Sequence, residues 1–348
     1  MESVIDPPNE YTLPGDYVIH KVTTALSETV DYSNGLLGIR DLWSDTEGED
    51  VTVAVLDTGC FNHPDLEGAI VDAKDFTRSA IGWDDFVQHG TWCAGFIGAR
   101  ANGVGVIGVA PKCKLLIGKV LNDSGSGTRE SIVAGLEWAA ESGADIISLS
   151  LGGPSMGEHA RQVYARIGSA KDKYLFAAAG NSGDPNQVDF PARWPESICV
   201  GAVDKDGKPT RFSNKGPRVD IWTYGVDMLS TIPRGYGTMS GTSMATPQAA
   251  AVAALALSYV RKRSGVIAGH EAMRKVMRDT AKNGIISPSD LIKAIGASPA
   301  QTRRKVLALG AMKIYTPALP TDDAGIVFDD DAAKAEFVTQ MQSFGKTE

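Results

Sequence analysis

The chain has 348 residues, of which 43% are hydrophobic and 38 are glycine, and its formal net charge is −8. That length and apolar content suffice for one sizeable packed core with appendages, and the many glycines predict frequent turns. The acidic balance argues against a nucleic-acid or anionic-membrane surface, which would call for a concentrated basic patch; Arg261-Lys262-Arg263 and Arg303-Arg304-Lys305 are short and read as solvated helix ends.

Residues 1–28 are rich in Pro and polar residues and read as an N-terminal extension. The opening Met1-Glu2-Ser3-Val4-Ile5-Asp6-Pro7-Pro8 lacks the basic and apolar regions of a secretory signal, and no later run looks long enough to span a bilayer. Cys60, Cys93, Cys113 and Cys199 are sparse and lack metal-type spacing. Together these features lead us to expect a cytoplasmic protein with free thiols.

From Val51 onward, apolar runs alternate with amphipathic stretches. Val51 to Leu56, Leu115 to Leu121, Ile146 to Leu151, Leu175 to Ala179 and Ile198 to Val203 read as buried strands. His89 to Ala99, Arg129 to Glu141, Glu158 to Lys171 and Ser243 to Arg263 read as helices. Such alternation predicts an α/β fold, a mainly parallel sheet flanked by helices, with functional groups at the carboxyl ends of the strands. The main domain is expected over 29–285. Residues 286–348 read as an appendage, with a helix from Ser289 to Ile295 followed by the acidic clusters Asp322-Asp323 and Asp329-Asp330-Asp331.

Three groups suited to an acid-base-nucleophile relay fall at element ends. Asp57 follows a buried strand and precedes Thr58-Gly59; His89 opens a small-residue helix; Ser243, in Gly241-Thr242-Ser243-Met244-Ala245-Thr246-Pro247, opens another. A Ser there lies at the positive end of a helix, and Pro247 is expected in the first turn, where a missing N–H costs nothing.

The order Asp, His, Ser, with Asp57-Thr58-Gly59, His89-Gly90-Thr91, Ser150-Leu151-Gly152-Gly153 and Ala177-Ala178-Ala179-Gly180-Asn181, resembles the subtilisin-like serine proteases over roughly residues 30 to 285. The resemblance implies a three-layer fold and a serine endopeptidase acting on peptides or proteins. It implies Ser243 as nucleophile, His89 as base, Asp57 as its orienting acid and Asn181 as an oxyanion donor. It further implies that Gly125-Ser126-Gly127 and Ser150-Leu151-Gly152 clamp an extended peptide, and that Asp189 floors the pocket for the residue before the scissile bond, favouring Lys or Arg there. The short extension resembles that of the intracellular members; Tyr11-Thr12-Leu13-Pro14-Gly15-Asp16-Tyr17 is expected across or near the cleft, restraining activity.

Gly103-Val104-Gly105-Val106-Ile107-Gly108 spells a dinucleotide fingerprint, but a helix precedes it and a strand follows, the reverse of what that motif needs. It resembles instead the family's calcium loop, which implies ligation by the Asp65 carboxylate, the Asn102 side chain and the carbonyls of Arg100, Val104 and Val106. A further ligand implied for the N-terminal segment has no assigned residue. Trp92 and Gln248 stand where many relatives carry His, and Cys93 matches a free thiol found near the catalytic His in part of the family. The alternative readings are a catalytically silent peptide-binding relative, disfavoured by the presence of all four chemical groups, and a nucleotide-dependent oxidoreductase.

Overall fold

The computed structural model describes residues 10–13, 20–23, 28–169, 173–263 and 269–296. The sequence expectations for residues 14–17, 170–171 and 297–348 lie outside these.

In chain order the strands are β1 (Glu10–Thr12), β2 (His20–Thr23), β3 (Thr29–Val30), β4 (Thr52–Asp57), β5 (Ile70–Asp75), β6 (Val106–Ile107), β7 (Lys114–Lys119), β8 (Ser126–Thr128), β9 (Ile146–Leu149), β10 (Tyr174–Ala178), β11 (Ile198–Val203), β12 (Ile221–Tyr224), β13 (Met228–Ile232) and β14 (Gly235–Met239). The helices are α1 (Tyr32–Leu36), α2 (Ile39–Leu42), α3 (His89–Gly98), α4 (Arg129–Glu141), α5 (Gly157–Ser169), α6 (Thr242–Arg263), α7 (His270–Thr280) and α8 (Pro288–Gly296).

Seven strands form one parallel sheet in the order β12-β11-β10-β9-β4-β7-β5. Its middle strands are continuous apolar runs because both faces are covered. On one face, α3 and α6 pack with Val53, Val55, Phe176 and Val200; on the other, α4 and α5 pack with Ala54, Leu56, Leu149 and Leu175. The chain adds strands to one side of β4 and then to the other, so the carboxyl end of β4 opens a crevice where the strand order reverses. Asp57 ends β4 there.

Two expectations change. α6 is long and apolar enough, by length and composition, to cross a membrane; here 94% of its apolar window is buried, and it is the central helix of the core. The main domain also runs past residue 285: α8 puts Leu291, Ile292 and Ile295 into the same core as α6. The glycine-rich 103–108 segment carries β6, which pairs with β3, and β7 follows, so no strand-turn-helix unit forms there.

Candidate active site

Asp57 and His89 come from different elements and meet at 2.8 Å, His89 Nδ1 donating to Asp57 Oδ1. The Thr58 amide donates to the same oxygen at 2.7 Å, and both residues are almost wholly buried. The approach of α3 to β4 requires glycine at 90: a Cβ there would stand 2.1 Å from Gly59 O and 3.2 Å from Asp57 Cβ. A buried carboxylate outside the expected set holds this corner. Asp85 accepts from Thr58 Oγ1 (2.8 Å), the amides of Val87, Gln88 and Thr91, and Thr91 Oγ1 (2.7 Å). Burial pushes its pKa up, against the pull of these donors. Thr58 Oγ1 in turn accepts from Gly90 N, so the first turn of α3, which carries His89, is tied to the end of β4.

Ser243 is the second residue of α6, and Pro247 is the sixth rather than part of the first turn. Residue 247 would normally donate its amide to the carbonyl four residues earlier, that of Ser243, and a proline cannot. The released carbonyl accepts instead from Ser150 Oγ at 2.8 Å and lies 3.8 Å from Cys93 Sγ. Burial holds the Cys93 thiol well above its ordinary pKa, so it is a neutral S–H. Ser243 Oγ donates to Ser150 O at 3.2 Å, so the nucleophile candidate and the segment that leaves β9 clasp each other from both sides.

Asn181 follows β10 and Gly180. Its Oδ1 accepts from the amide (2.9 Å) and hydroxyl (2.8 Å) of Thr242, which fixes the amide plane. A Cβ placed on Gly241 would lie 3.2 Å from Asn181 Nδ2 and 3.7 Å from Ser243 N, so these two donors border one small space. Two donors around one point can hold a developing oxyanion.

Gly125, Ser126 and Gly127 lie on the turn into β8 and on β8 itself, and this edge is already paired. β1 runs antiparallel to it with Tyr11 opposite Gly127 and Thr12 opposite Ser126, and the Leu13 amide donates to Gly125 O at 3.2 Å. Leu13 is buried, packed with Val87 in the cluster under the cleft and close to Gly125. Ser150, Leu151 and Gly152 follow β9. Asp189 stands between the two glycines: a Cβ on Gly152 would be 3.1 Å from Asp189 Cβ, and one on Gly180 2.3 Å from Asp189 Oδ2. Asn214 Nδ2 donates to Asp189 Oδ1 at 3.4 Å. Burial pushes Asp189 above the ordinary aspartate range, with nearby Arg193 pulling it partly back. The Phe190–Pro191 bond that follows is cis.

The Asp65 carboxylate, fully buried, accepts from Val106 N (2.8 Å), Asn102 Nδ2 (3.3 Å) and Tyr236 OH (3.2 Å). Asn102 Oδ1 accepts from Val104 N at 3.1 Å, and the Arg100 amide donates to Asp65 O at 2.7 Å while its guanidinium turns away to the carbonyls of Gly68, Pro111 and Cys113. Glu28, which sequence reasoning did not assign, reaches the same loop, its Oε1 accepting from Gly103 N at 3.0 Å. Among the described residues no Lys or Arg pairs with either carboxylate. Two carboxylates with no Lys or Arg partner thus reach the same loop, and carboxylate oxygens are the ligand type a hard cation takes.

The departures at 92 and 248 are structural. Trp92 is buried, donates to Gly237 O at 3.0 Å and stacks on Phe96 with centroids 4.9 Å apart. Gln248 bridges Thr223, Ser33 and Asn34. All four cysteines are free and buried.

A family model described as the subtilase family, Peptidase_S8, matches residues 48–305. The chain is 43% identical over 226 residues to the intracellular serine protease of Paenibacillus polymyxa, a match covering 62% of this chain and 68% of that protein. It is 41% identical over 217 residues to subtilisin DY of Bacillus licheniformis, covering 61% of this chain and 78% of that one. Over 217 residues it is 42% identical to subtilisin E of Bacillus subtilis (strain 168), covering 61% of this chain and 56% of that one.

Proposed function

Because the chain belongs to the subtilase family and is a serine endopeptidase, we propose that Ser243 is its nucleophile and that peptide bonds are cleaved through an acyl-enzyme on this residue. The observation that carries the reading is the 2.8 Å Asp57–His89 hydrogen bond, with Cys93 Sγ lying 3.9 Å from His89 Nδ1 and 3.8 Å from Ser243 O. Ser243 Oγ leaves Ser150 O, gives its proton to His89 and bonds to the scissile carbon. The oxyanion is held by Asn181 and the Ser243 amide, while Asp57 stabilises the imidazolium. His89 then delivers the proton to the leaving amine as the C–N bond breaks, and water releases the acyl group by the same route. Cleavage-site profiling on a peptide library tests this: the wild type should cut and Ser243→Ala should not, and cutting by the variant would contradict it.

The Asp189 carboxyl, packed against Gly152 and Gly180, supports a preference for Lys or Arg before the scissile bond. Paired kinetics on peptides ending in Arg and Phe decide it, and a clear Phe advantage would overturn it. Residues 1–28 act as an intramolecular restraint, since β1 and Leu13 take the edge of β8 that a bound peptide would use. Removing residues 1–19 should raise turnover of a peptide substrate; unchanged turnover would refute the restraint.

Calcium is a structural ion in this reading, held by Asp65, Asn102, Glu28 and the carbonyls of Arg100, Val104 and Val106, and it would fasten the loop after α3 to the N-terminal segment. The cytoplasm is the proposed compartment, on the printed name of the Paenibacillus relative and the four free cysteines.

A further inference from the structure

Lys119, the last residue of β7, is fully buried, an unusual place for a flexible ammonium. It lies opposite Asp57 in the β4–β7 ladder. Its Nζ has three acceptors for its three hydrogens: Thr58 O, Asp84 O at 3.1 Å and Asp123 Oδ1 at 3.0 Å. Each acceptor belongs to a different part of the site. Thr58 binds Asp57 and, through its hydroxyl, Asp85 and Gly90. Asp84 begins the loop that leads into His89. Asp123 sits in the turn that enters β8, where Asn122 Oδ1 accepts from Ser124 N (2.9 Å) and Ser126 N (3.1 Å), and it is braced from outside by Ser79 Oγ at 2.7 Å.

From this geometry we infer that Lys119 and Asp123 form a positioning pair: the ammonium fixes the peptide-pairing turn 122–126 relative to the Asp57–Thr58 end of β4. Neither residue touches the reacting atoms. The pair sets the register between the strand that receives an extended peptide and the carboxylate that orients His89, so that contacts made along β8 place the scissile bond against Ser243. The inference rests on the reading of β8 as the peptide-binding edge.

The test uses the full-length chain and two substrates, an extended peptide long enough to pair along β8 and a single-residue ester that cannot reach it. The readout is the ratio of their kcat/KM values in each variant relative to the same ratio in the parent, so that the pairing of β1 along β8, common to every chain compared, cancels. In Asp123→Asn, whose altered side chain is 40% exposed in the parent, the extended peptide should lose about tenfold in kcat/KM, the size of one charge-assisted hydrogen bond. The ester should be turned over as by the parent. Ser79→Ala should reproduce a smaller part of the same split. Equal loss on both substrates, or no loss on either, overturns the positioning pair. If the chain lacking residues 1–19, whose β8 edge is uncovered, gains nothing from the longer peptide, the reading of β8 fails and the pair falls with it.

Discussion

Ser243 owes its setting to neighbours that withhold or redirect hydrogen bonds. Pro247 releases the Ser243 carbonyl, Ser150 takes it, and Thr242 fixes Asn181. Asn181→Ala should lower kcat by about 10²- to 10³-fold with little change in KM, the loss measured for this donor in subtilisin; steady-state kinetics check it. At Asp189 the sign of a pH effect is fixed. Only the ionised carboxylate pairs with a cationic side chain, and burial raises its pKa. Selectivity for Arg over Phe peptides should therefore fall as pH drops through that raised value, above the ordinary aspartate range. A ratio that stays flat down to acid pH would count against Asp189 as the pocket floor. Asp57, His89, Ser243 and Asn181 were readable in the sequence because each sits in a short motif at an element end. Asp85, Lys119, Glu28 and Asn214 were not, because what distinguishes them is burial and convergence, and a loop acid or a strand-end lysine carries no local mark of either.

Among the elements, the middle strands were legible from continuous apolar runs and α4 from its spacing, with bounds identical to those expected. The edge strand β5 was not, since Ile70–Asp75 leaves only its first residue and alternate positions half-covered and carries three aspartates and lysines besides. Pro247 was misplaced for a related reason: the helix start lies at Thr242, and a proline inside a helix is tolerated only where another donor serves the freed carbonyl, a fact of tertiary structure. Pro247→Ala restores that donor in competition with Ser150. The helix should be as stable or more so, and kcat should fall about tenfold as the nucleophile shifts in its clasp; thermal melting and kinetics read the two effects separately. The carboxyl end of α6 is tied to the turn before β4 by Lys262, whose Nζ lies 2.8 Å from Glu49 Oε2. Partial burial works against ionisation of Glu49, but the Lys262 contact and the backbone amides of Glu47 and Glu49 together outweigh it and hold the carboxyl at about 2, below its ordinary 4.5. A carboxyl lowered in the folded state stabilises fully above its unfolded value and loses that contribution as pH falls through the folded one. Glu49→Gln should therefore be less stable than the parent at pH 6, and urea unfolding should show the gap closing between about pH 4.5 and 2.

For the whole molecule, the sheet order puts the site where strand order reverses, and the parallel core with α6 at its centre makes that corner rigid. The proposed calcium site sits outside this core, where the loop after α3 meets β3. An ion bound only to the folded chain raises stability by about 2.7 kcal/mol at a hundredfold excess over its Kd. Melting curves should thus rise with added calcium and fall with chelator, and Glu28→Gln should shrink the difference; curves that do not move would remove the ion from the account. On the proposed function, Ser243 is an activated nucleophile within an assembled hydrolytic site, as opposed to a serine in a peptide-binding relative. Intact-mass analysis after treatment with a fluorophosphonate tests it most directly. The wild-type chain should gain one phosphonyl adduct, mapped to Ser243, and Ser243→Ala should gain none; an unlabelled wild type, or equal labelling of both, would contradict it.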